Sequence, residues 1–343
     1  MSHEIDLSKF TVRCDLISEV IDEKENFLNI EKVQYNDINI ERIRIGKKEE
    51  KLIDKKKGLY TTIYFNDATD SNNRKNLIKA MTIELKRIIK EKNLLGKSSL
   101  VVGLGNRLST PDSLGPKVID DIVVTRHLFK LNSIDVDDSY SEVSTFIPGV
   151  YATTGVESFD SIEAIKNVVK PDFLIVIDAL ASSSIEKINK TIQITDSGIE
   201  PGSGIGNFRK EISEETLGIP VIAIGSPTVV DAATIVNDTL NFLVKKLSFN
   251  IMNIDNPKSK LINPYVFDYS NINYKLDEKE RKMYLGLLGE LKEEEIKDLF
   301  SEVLTPLGYN LMVTPKEVDF LTDKISFVIA KSINNVLHNI NES

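Results

Sequence analysis

Two aspartates, Asp112 and Asp178, each follow a short apolar run with the composition of a buried β-strand. Asp178 closes the run FLIVID, and Asp112 lies in the loop that follows VVGLGN. Runs this short and apolar are typical of parallel strands that are buried on both faces. In open α/β sheets, substrates and catalytic groups collect at the carboxyl ends of such strands. Two acids delivered to that edge predict either general acid–base catalysis or a metal site.

The chain has few residues for the commoner kinds of hydrolase chemistry, with three histidines and one cysteine, Cys14. A Ser-His-Asp or Cys-His hydrolase needs a histidine beside its nucleophile. His3 and His338 lie near the chain ends, and His127 lies in a predicted helix away from every glycine-rich loop. The sequence also lacks HExxH and paired-cysteine zinc signatures. These absences disfavour a catalytic triad and a histidine-based metal site.

Composition and charge limit the classes of function further. The 343 residues suffice for one large domain or two ordinary ones, and a single cysteine excludes an internal disulfide framework and fits a reducing compartment. The net charge of −9 argues against nonspecific binding to nucleic acid. The N-terminus lacks a signal-peptide pattern, and no run approaches the roughly 18 apolar residues that span a bilayer. We therefore expect a soluble cytoplasmic protein without nucleic-acid or membrane partners.

The hydrophobic pattern predicts the strands and helices that must hold the two acids. Strands are predicted at residues 38–45, 60–65, 99–104, 172–178, 190–195 and 220–225, and helices at 73–92, 159–169, 228–247, 278–304 and 315–340, with another from about residue 116. The charged run at residues 47–57 predicts an exposed loop or hairpin. This order predicts an α/β fold with a mainly parallel central sheet flanked by helices, extra N-terminal strands and C-terminal helices.

Two glycine-containing loops follow predicted strands, and their sequences indicate different binding functions. The loop at residues 199–207 contains Gly202, Gly204 and Gly206, whose backbone can approach a peptide closely or donate N–H groups to an oxyanion. The sequence GLGN at residues 103–106 lacks the third glycine of a dinucleotide loop and the GK[ST] of a phosphate loop. Nucleotide binding is therefore disfavoured.

Structural roles compete with catalysis at each of these positions. Asp112 fits an N-cap or turn residue, and neighbouring loop amides can satisfy Asp178. A buried strand-end acid is costly unless it is paired or hydrogen-bonded, which favours function for Asp178. In GSPTVVD, Ser226 or Thr228 is expected to cap the N-terminus of a helix. The negative charge of Asp231 is expected to interact favourably with the dipole of that helix. The competing function is a non-enzymatic α/β protein that binds a small anion at its glycine-rich loops.

The loops, taken together and in order, resemble those of the germination proteases of spore-forming bacteria. The motifs that carry the resemblance are VVGLGN, TPDSLGP, VIDAL, GIEPGSGIGN and GSPTVVDA. The opening stretch IDLSKFTVRCDL, at residues 5–16, is similar to that family's N-terminal leader. The similarity runs through nearly the whole chain. The family's fold is in turn similar to that of the hydrogenase-maturation proteases.

The resemblance implies an endopeptidase that initiates degradation of small acid-soluble spore proteins at germination, in the core of the spore. Such enzymes are made as inactive zymogens that remove a short leader, and they assemble as homotetramers. The proposed catalytic pair of the family corresponds to Asp112 and Asp178. Backbone amides of the loop around Gly202, Gly204 and Gly206 are then expected to stabilise the tetrahedral oxyanion.

The leader supplies a predicted cleavage site between Asp15 and Leu16, where an acid precedes an aliphatic residue. The resemblance implies that the family's substrates are cut in a context of that kind. The resulting division of the chain is a propeptide at residues 1–15 and a peptidase domain at 16–343, which holds an α/β core at about 72–250 and a C-terminal helical extension at about 275–343.

The resemblance leaves the use of a metal open. Hydrogenase-maturation proteases bind metal through two acids and a histidine, and no histidine of this chain lies in a comparable strand-end loop. A stable metal site here needs another carboxylate, a carbonyl or water. We therefore expect no cofactor and prefer acid–base catalysis in which Asp112 and Asp178 share a proton. A divalent metal at the same pair is the alternative.

Overall fold

The computed structural model describes residues 15–22, 28–53, 55–131, 136–202, 209–252, 278–291, 293–304 and 311–338. They fall into two compact units. The first takes in the described residues from 15 to 230 and those from 314 onward, and the second takes in those from 231 to 313. Both predicted catalytic aspartates lie in the first unit.

Eight strands of the first unit lie side by side in one sheet. They are β1 (Ile30–Tyr35), β2 (Ile38–Ile45), β3 (Gly58–Tyr64), β4 (Ser99–Gly103), β5 (Val143–Phe146), β6 (Phe173–Ser182), β7 (Thr191–Thr195) and β8 (Val221–Asp231). Their spatial order is β1-β2-β3-β7-β8-β6-β4-β5. Strands β8, β6, β4 and β5 pair in parallel. Strands β1, β2, β3 and β7 pair antiparallel with one another, and β7 pairs antiparallel with β8.

Helices cover both faces of the parallel half, as the apolar runs predict. The helices concerned are α3 (Ser71–Glu91), α4 (Leu114–Asp120), α7 (Ser158–Val169) and α12 (Val318–Leu337). Successive residues of β6 enter different hydrophobic clusters because strand side chains alternate between faces. Phe173, Ile175 and Ile177 pack with α3, α4 and α12, whereas Leu174 and Val176 pack with α7.

The remaining helices are short in the first unit and longer in the second. Those of the first unit are α1 (Ile17–Asp22), α2 (Lys47–Ile53), α5 (Arg126–Lys130), α6 (Tyr151–Thr154) and α8 (Glu214–Leu217). The second unit holds α9 (Ala232–Met252), α10 (Glu278–Leu285), α11 (Glu293–Leu304) and the two-residue strand β9 (Met312–Val313). In the ranges that the structure covers, no helix is both long and apolar enough to cross a bilayer.

The predicted α/β class is confirmed, and the N-terminal strands extend the same sheet in antiparallel fashion. The predicted loop or hairpin at residues 47–57 is wrong for its first half, which forms α2. The helix predicted from residue 228 begins instead at Ala232, because β8 continues to Asp231. The predicted propeptide, core and extension ranges stay predictions of domain organisation.

The extension of β8 changes the roles expected in GSPTVVD. Ser226 and Thr228 lie within the strand, so neither caps a helix. The Ser226 hydroxyl donates to the Thr191 carbonyl at 2.8 Å instead. Asp231 keeps its expected role, because its Oδ1 accepts the backbone N–H of Ala233 in the first turn of α9 at 2.7 Å.

Candidate active site

Asp178 lies on β6 just beyond the level at which its neighbour β4 ends. Ile177 pairs with Gly103, the last residue of β4, and Asp178 pairs on its other side with Gly225 of β8. The strand does not end there, because β6 continues to Ser182. Asp178 therefore stands at the carboxyl edge of β4 and is flanked by the protruding ends of β6 and β8.

The Asp178 carboxyl is buried and strongly perturbed. Asp178 is only 7% exposed, and its Oδ1 accepts a hydrogen bond from the Ala179 N–H at 2.9 Å. Burial raises the pKa of Asp178 well above its ordinary value, and the negative charges of Asp112 and Asp15 raise it further. Arg209 opposes this rise. Such a carboxyl retains its proton under conditions in which an exposed aspartate has lost it.

Asp112 is the last residue of a 3₁₀ turn, Thr110–Asp112, between β4 and α4. The Asn106 N–H donates to the Asp112 carbonyl at 2.9 Å, and Thr228 of β8 donates its hydroxyl to the Pro111 carbonyl at 2.6 Å. These two bonds attach the turn to the loop before it and to the sheet. The turn therefore holds Asp112 at the edge where Asp178 lies.

Glycine is required where the loop passes Asp112. Gly105 has a φ of +105°, and a Cβ at this position would lie 2.1 Å from the Asp112 carbonyl oxygen. Gly115, at the start of α4, is similarly close to β4, because its Cβ would lie 2.2 Å from the Leu104 carbonyl oxygen. The spacing of glycines in VVGLGN and TPDSLGP thus reflects the close packing of this turn against the strands.

The Asp112 carboxyl also has a raised pKa. Burial raises the pKa of Asp112 to about 6, against the opposing effects of a hydrogen bond from the Asn106 backbone and the positive charge of Arg209. The negative charge of Asp112 is one of the causes that raise the pKa of Asp178. Two neighbouring acids with raised pKa values can supply a general acid and a general base together.

Arg209 is a site residue that the sequence reasoning missed. Its positive charge lowers the pKa of both Asp112 and Asp178. Its guanidinium carbon lies 5.9 Å from the centroid of the Tyr151 ring, a cation–π distance. A signal was present in the sequence, because a basic residue follows the glycine-rich loop at residues 199–207 almost directly.

The predicted cleavage position lies beside Asp178. The Asp15 carboxylate accepts the N–H of Ala181, three residues after Asp178 on β6, at 2.8 Å. The Asp15 N–H in turn donates to the Ala181 carbonyl at 3.4 Å. Leu16 and Ile17 are fully buried. Residues 15–17 therefore lie along the protruding end of β6, close enough for the Asp15 charge to raise the pKa of Asp178.

Two side chains from other strands and loops hold the same segment by its backbone. Gln193 of β7 accepts the Ile17 N–H at its Oε1 (2.7 Å) and donates from its Nε2 to the Asp15 carbonyl (3.3 Å). The Lys55 ammonium, just before β3, donates to the same carbonyl oxygen at 3.4 Å. Neither residue was singled out by the sequence reasoning.

Glu19 attaches residues 15–19 to Ser182 and Ser183 at the end of β6 through hydrogen bonds. Its carboxylate accepts hydrogen bonds from the Ser183 backbone N–H and from the Ser183 hydroxyl, each at 2.7 Å, and from the Ser182 hydroxyl. Only 9% of Glu19 is exposed. Charge-assisted bonds of this kind are stronger than neutral ones, so residues 15–19 are held at both ends against the end of β6.

The other predicted site residues are placed less completely. Gly202 is described and has a φ of +74°, whereas Gly204 and Gly206 lie outside the described residues, so the oxyanion role of this loop stays a prediction. In the described part of the chain, no group of three His, Cys, Asp or Glu side chains is placed to hold a metal ion. His338 is buried on α12, where its Nε2 lies 2.9 Å from the Val123 carbonyl oxygen.

Comparison of the sequence with known proteins identifies one family. A sequence model of the germination protease family matches residues 12–343. The chain is 43% identical to the germination protease of Priestia megaterium over 98% of this chain and 96% of that relative. It is 43% identical to that of Oceanobacillus iheyensis over 96% of this chain and 95% of the relative, and 40% identical to that of Bacillus subtilis over 98% and 95%.

Among solved structures, the chain matches a NiFe hydrogenase maturation protease, HycI, from Thermococcus kodakarensis. The match covers 42% of this chain and 80% of that chain, with 18% sequence identity and a TM-score of 0.26.

Proposed function

The chain belongs to the germination protease family and is a peptidase, and from this we propose that it is an endopeptidase whose catalytic pair is Asp112 and Asp178. The observation that carries the proposal is the meeting of two carboxyls with raised pKa values at one edge of the sheet, where the negative charge of the half-buried Asp112 raises the pKa of the buried Asp178. Structural aspartates are commonly paired with cations and have lowered pKa values, so this pair is placed for proton transfer.

The different burial of the two carboxyls supports different roles. Asp112, with a pKa of about 6, is ionised near neutral pH and takes a proton from the attacking water. Asp178, whose pKa burial raises well above its ordinary value, keeps its proton and donates it to the nitrogen of the leaving amine. The water oxygen forms a bond to the carbonyl carbon and the C–N bond breaks. One product then carries a new carboxylate and the other a free amine.

We also propose that the chain is a zymogen that cuts itself between Asp15 and Leu16 and so removes the propeptide at residues 1–15. Support comes from the position of Asp15, which is hydrogen-bonded to Ala181 and close enough to Asp178 to raise its pKa. A segment that occupies this edge of the sheet keeps other peptides out of it. Self-cleavage and inhibition then follow from the same contacts.

The biological setting belongs to the same proposal. We assign small acid-soluble spore proteins as substrates, cleavage at the start of germination, a homotetrameric assembly and a location in the spore core or forespore cytoplasm. Family membership supports these assignments, since the relatives are named germination proteases. The acid-then-aliphatic step Asp15–Leu16 fits substrates cut after an acid. No cofactor, nucleic-acid partner or membrane is part of the proposal.

The test is cleavage of a purified small acid-soluble spore protein by the processed chain and by its Asp112→Asn and Asp178→Asn variants, each with and without a chelator. We expect both variants to lose cleavage while they remain folded, and the chelator to have no effect. Asp160→Asn is the matched control, because Asp160 is an exposed aspartate on α7. Near-wild-type cleavage by either active-site variant would contradict the assignment. Loss of cleavage with chelator alone would favour a metal at the pair.

A further inference from the structure

We infer that Gln193 and Lys55 form the oxyanion-binding site of this peptidase, an inference that rests on the proposed function. Both side chains donate hydrogen bonds to one atom, the carbonyl oxygen of Asp15. That oxygen belongs to the Asp15–Leu16 peptide bond. If this bond is the one that is cut, the two donors already point at the oxygen that becomes negatively charged in the tetrahedral intermediate.

The sheet register places Gln193 two strands away from Asp178 and level with it. Gly225 of β8 pairs with Asp178 of β6 on one side and with Gln193 of β7 on the other. Residues paired in this way direct their side chains to the same face of a sheet. Strands lie about 4.8 Å apart, so the Cα atoms of Asp178 and Gln193 are separated by roughly 10 Å. Gly225 carries no side chain, and the Leu180 side chain of β6 packs over it, since a Cβ on Gly225 would lie 2.6 Å from the Leu180 Cγ.

The orientation of the Gln193 amide follows from its two partners. Its Oε1 accepts the Ile17 N–H at 2.7 Å, and its Nε2 donates to the Asp15 carbonyl at 3.3 Å. A flipped amide would place a donor against a donor and an acceptor against an acceptor. Gln193 is only 7% exposed, so water does not readily replace either bond. The N–H donor is thus fixed toward the carbonyl oxygen.

Lys55 adds a full positive charge at the same oxygen, where its Nζ lies at 3.4 Å. When water attacks the Asp15 carbonyl carbon, the electron pair of the C=O bond moves onto this oxygen. The ammonium and the amide N–H stabilise the negative charge until the C–N bond to Leu16 breaks and the carbonyl re-forms. Hydrogen bonds of 3.3–3.4 Å in the uncleaved chain are expected to shorten as the charge develops.

Gln193→Glu separates this role from a structural one. A glutamate keeps an acceptor for the Ile17 N–H and removes the donor to the Asp15 carbonyl. Lys55→Met removes the second donor. Loss of one oxyanion donor typically lowers kcat by about 10²–10³-fold. We expect each variant of the full chain to lose Asp15–Leu16 self-cleavage by about that factor, measured by intact mass over time. Lys57→Met is the matched control, because Lys57 pairs with the exposed Glu215.

A second readout guards against misfolding. The propeptide of each variant is first removed in trans by processed wild-type chain, which is then separated from the variant. The processed wild-type chain and the processed variants are compared for hydrolysis of a peptide spanning residues 10–22. We expect kcat to fall and KM to change little, and binding of a peptide aldehyde that ends at the Asp15 position to weaken in parallel with kcat. A structural role would instead raise KM and lower the thermal stability.

The two proposals fail differently. If Asp178→Asn is inactive while Gln193→Glu and Lys55→Met cleave at near-wild-type rates, the oxyanion assignment is wrong and the catalytic pair stands. If Asp178→Asn retains cleavage, the proposed function itself is wrong. If only KM and stability change in the Gln193 and Lys55 variants, these residues hold the peptide without stabilising its transition state, and the inference is overturned.

Discussion

The raised pKa of Asp112 predicts that removing this acid stabilises the fold. Burial raises the pKa of Asp112 from an ordinary value of 3.8 to about 6. Because the folded state binds its proton more tightly than the unfolded state, stability falls as pH rises from about 4 to about 6 and stays low above that range. At a pH above the pKa of Asp112 in both the unfolded and the folded state, the ionised carboxylate destabilises the folded state by the whole free energy that corresponds to the pKa shift. Asp112→Asn removes that difference.

The magnitude follows from the size of the shift. A rise of this size corresponds to about 3 kcal/mol, and solvent screening of a partly exposed group reduces the expected gain to about 2 kcal/mol. The variant also lowers the pKa of Asp178, because the charge of Asp112 is one of the causes that raise it. This second effect has the same sign. Asparagine retains an acceptor for the hydrogen bond from the Asn106 backbone.

The assay is urea unfolding of the full chain at about pH 7.5 and at about pH 4. At each pH, the unfolding free energy of the variant is compared with that of the wild-type chain. We expect Asp112→Asn to be more stable by about 2 kcal/mol at the higher pH and nearly unchanged at the lower. Asp160→Asn should stay within about 0.5 kcal/mol at both. An Asp112→Asn variant that gains nothing at the higher pH would refute the account of a destabilising, functional acid.

Arg209→Gln should raise the pKa of Asp112 and Asp178, since the Arg209 charge lowers both. The acid limb of the pH–rate profile should move upward by as much as about one unit, and Arg209→Lys should restore it; an unmoved limb would count against the placement of this charge. Gly105→Ala should destabilise the fold by about 1–3 kcal/mol and lower cleavage, because its Cβ would meet the Asp112 carbonyl. Gly96→Ala, which also has a positive φ but no atom within 4 Å of its Cβ, should cost only the backbone strain. Equal losses in the two glycine variants would show that the contact with Asp112 contributes nothing.

The sequence allowed the centre of the sheet to be predicted because its strands are buried on both faces. FLIVID is apolar at every position before Asp178, and only helices on both sides of a parallel strand make such a run favourable. The cost of burying an acid at the end of that run pointed to Asp178. The Gly/Pro-rich turn before α4 pointed to Asp112, and the structure brings the two charges within interaction range.

The ends of β6 and β8 could not be predicted from local pattern. The sequence pattern predicts strands that end at residues 178 and 225 and a helix from residue 228, within a stretch that contains serine and proline. Residues 179–182 and 226–230 become strand because they pair with each other, with Ala181 opposite Val229 and Ser182 opposite Val230. Long-range pairing of this kind overrides local propensity. It also creates the protruding edge along which residues 15–19 lie.

The polar residues around Asp15 carried no distinguishing local signal. Gln193 alternates with apolar neighbours as any polar residue of a half-exposed strand does, and Lys55 lies in a lysine-rich run typical of solvated loops. Their meaning arises from tertiary placement, because β7 and the approach to β3 bring both to the Asp15 carbonyl. Only knowledge of the strand order, with β7 beside β8, separates them from ordinary surface residues.

We propose that Asp112 and Asp178 hydrolyse peptide bonds, beginning with the bond between Asp15 and Leu16. The most direct test is the intact mass and N-terminal sequence of the full chain, compared with its Asp178→Asn variant, after incubation near neutral pH, where Asp112 is ionised. We expect the wild-type chain to lose residues 1–15 and to begin at Leu16, while the variant keeps its full mass. A new N-terminus at another residue, or the same cleavage in the variant, would contradict it.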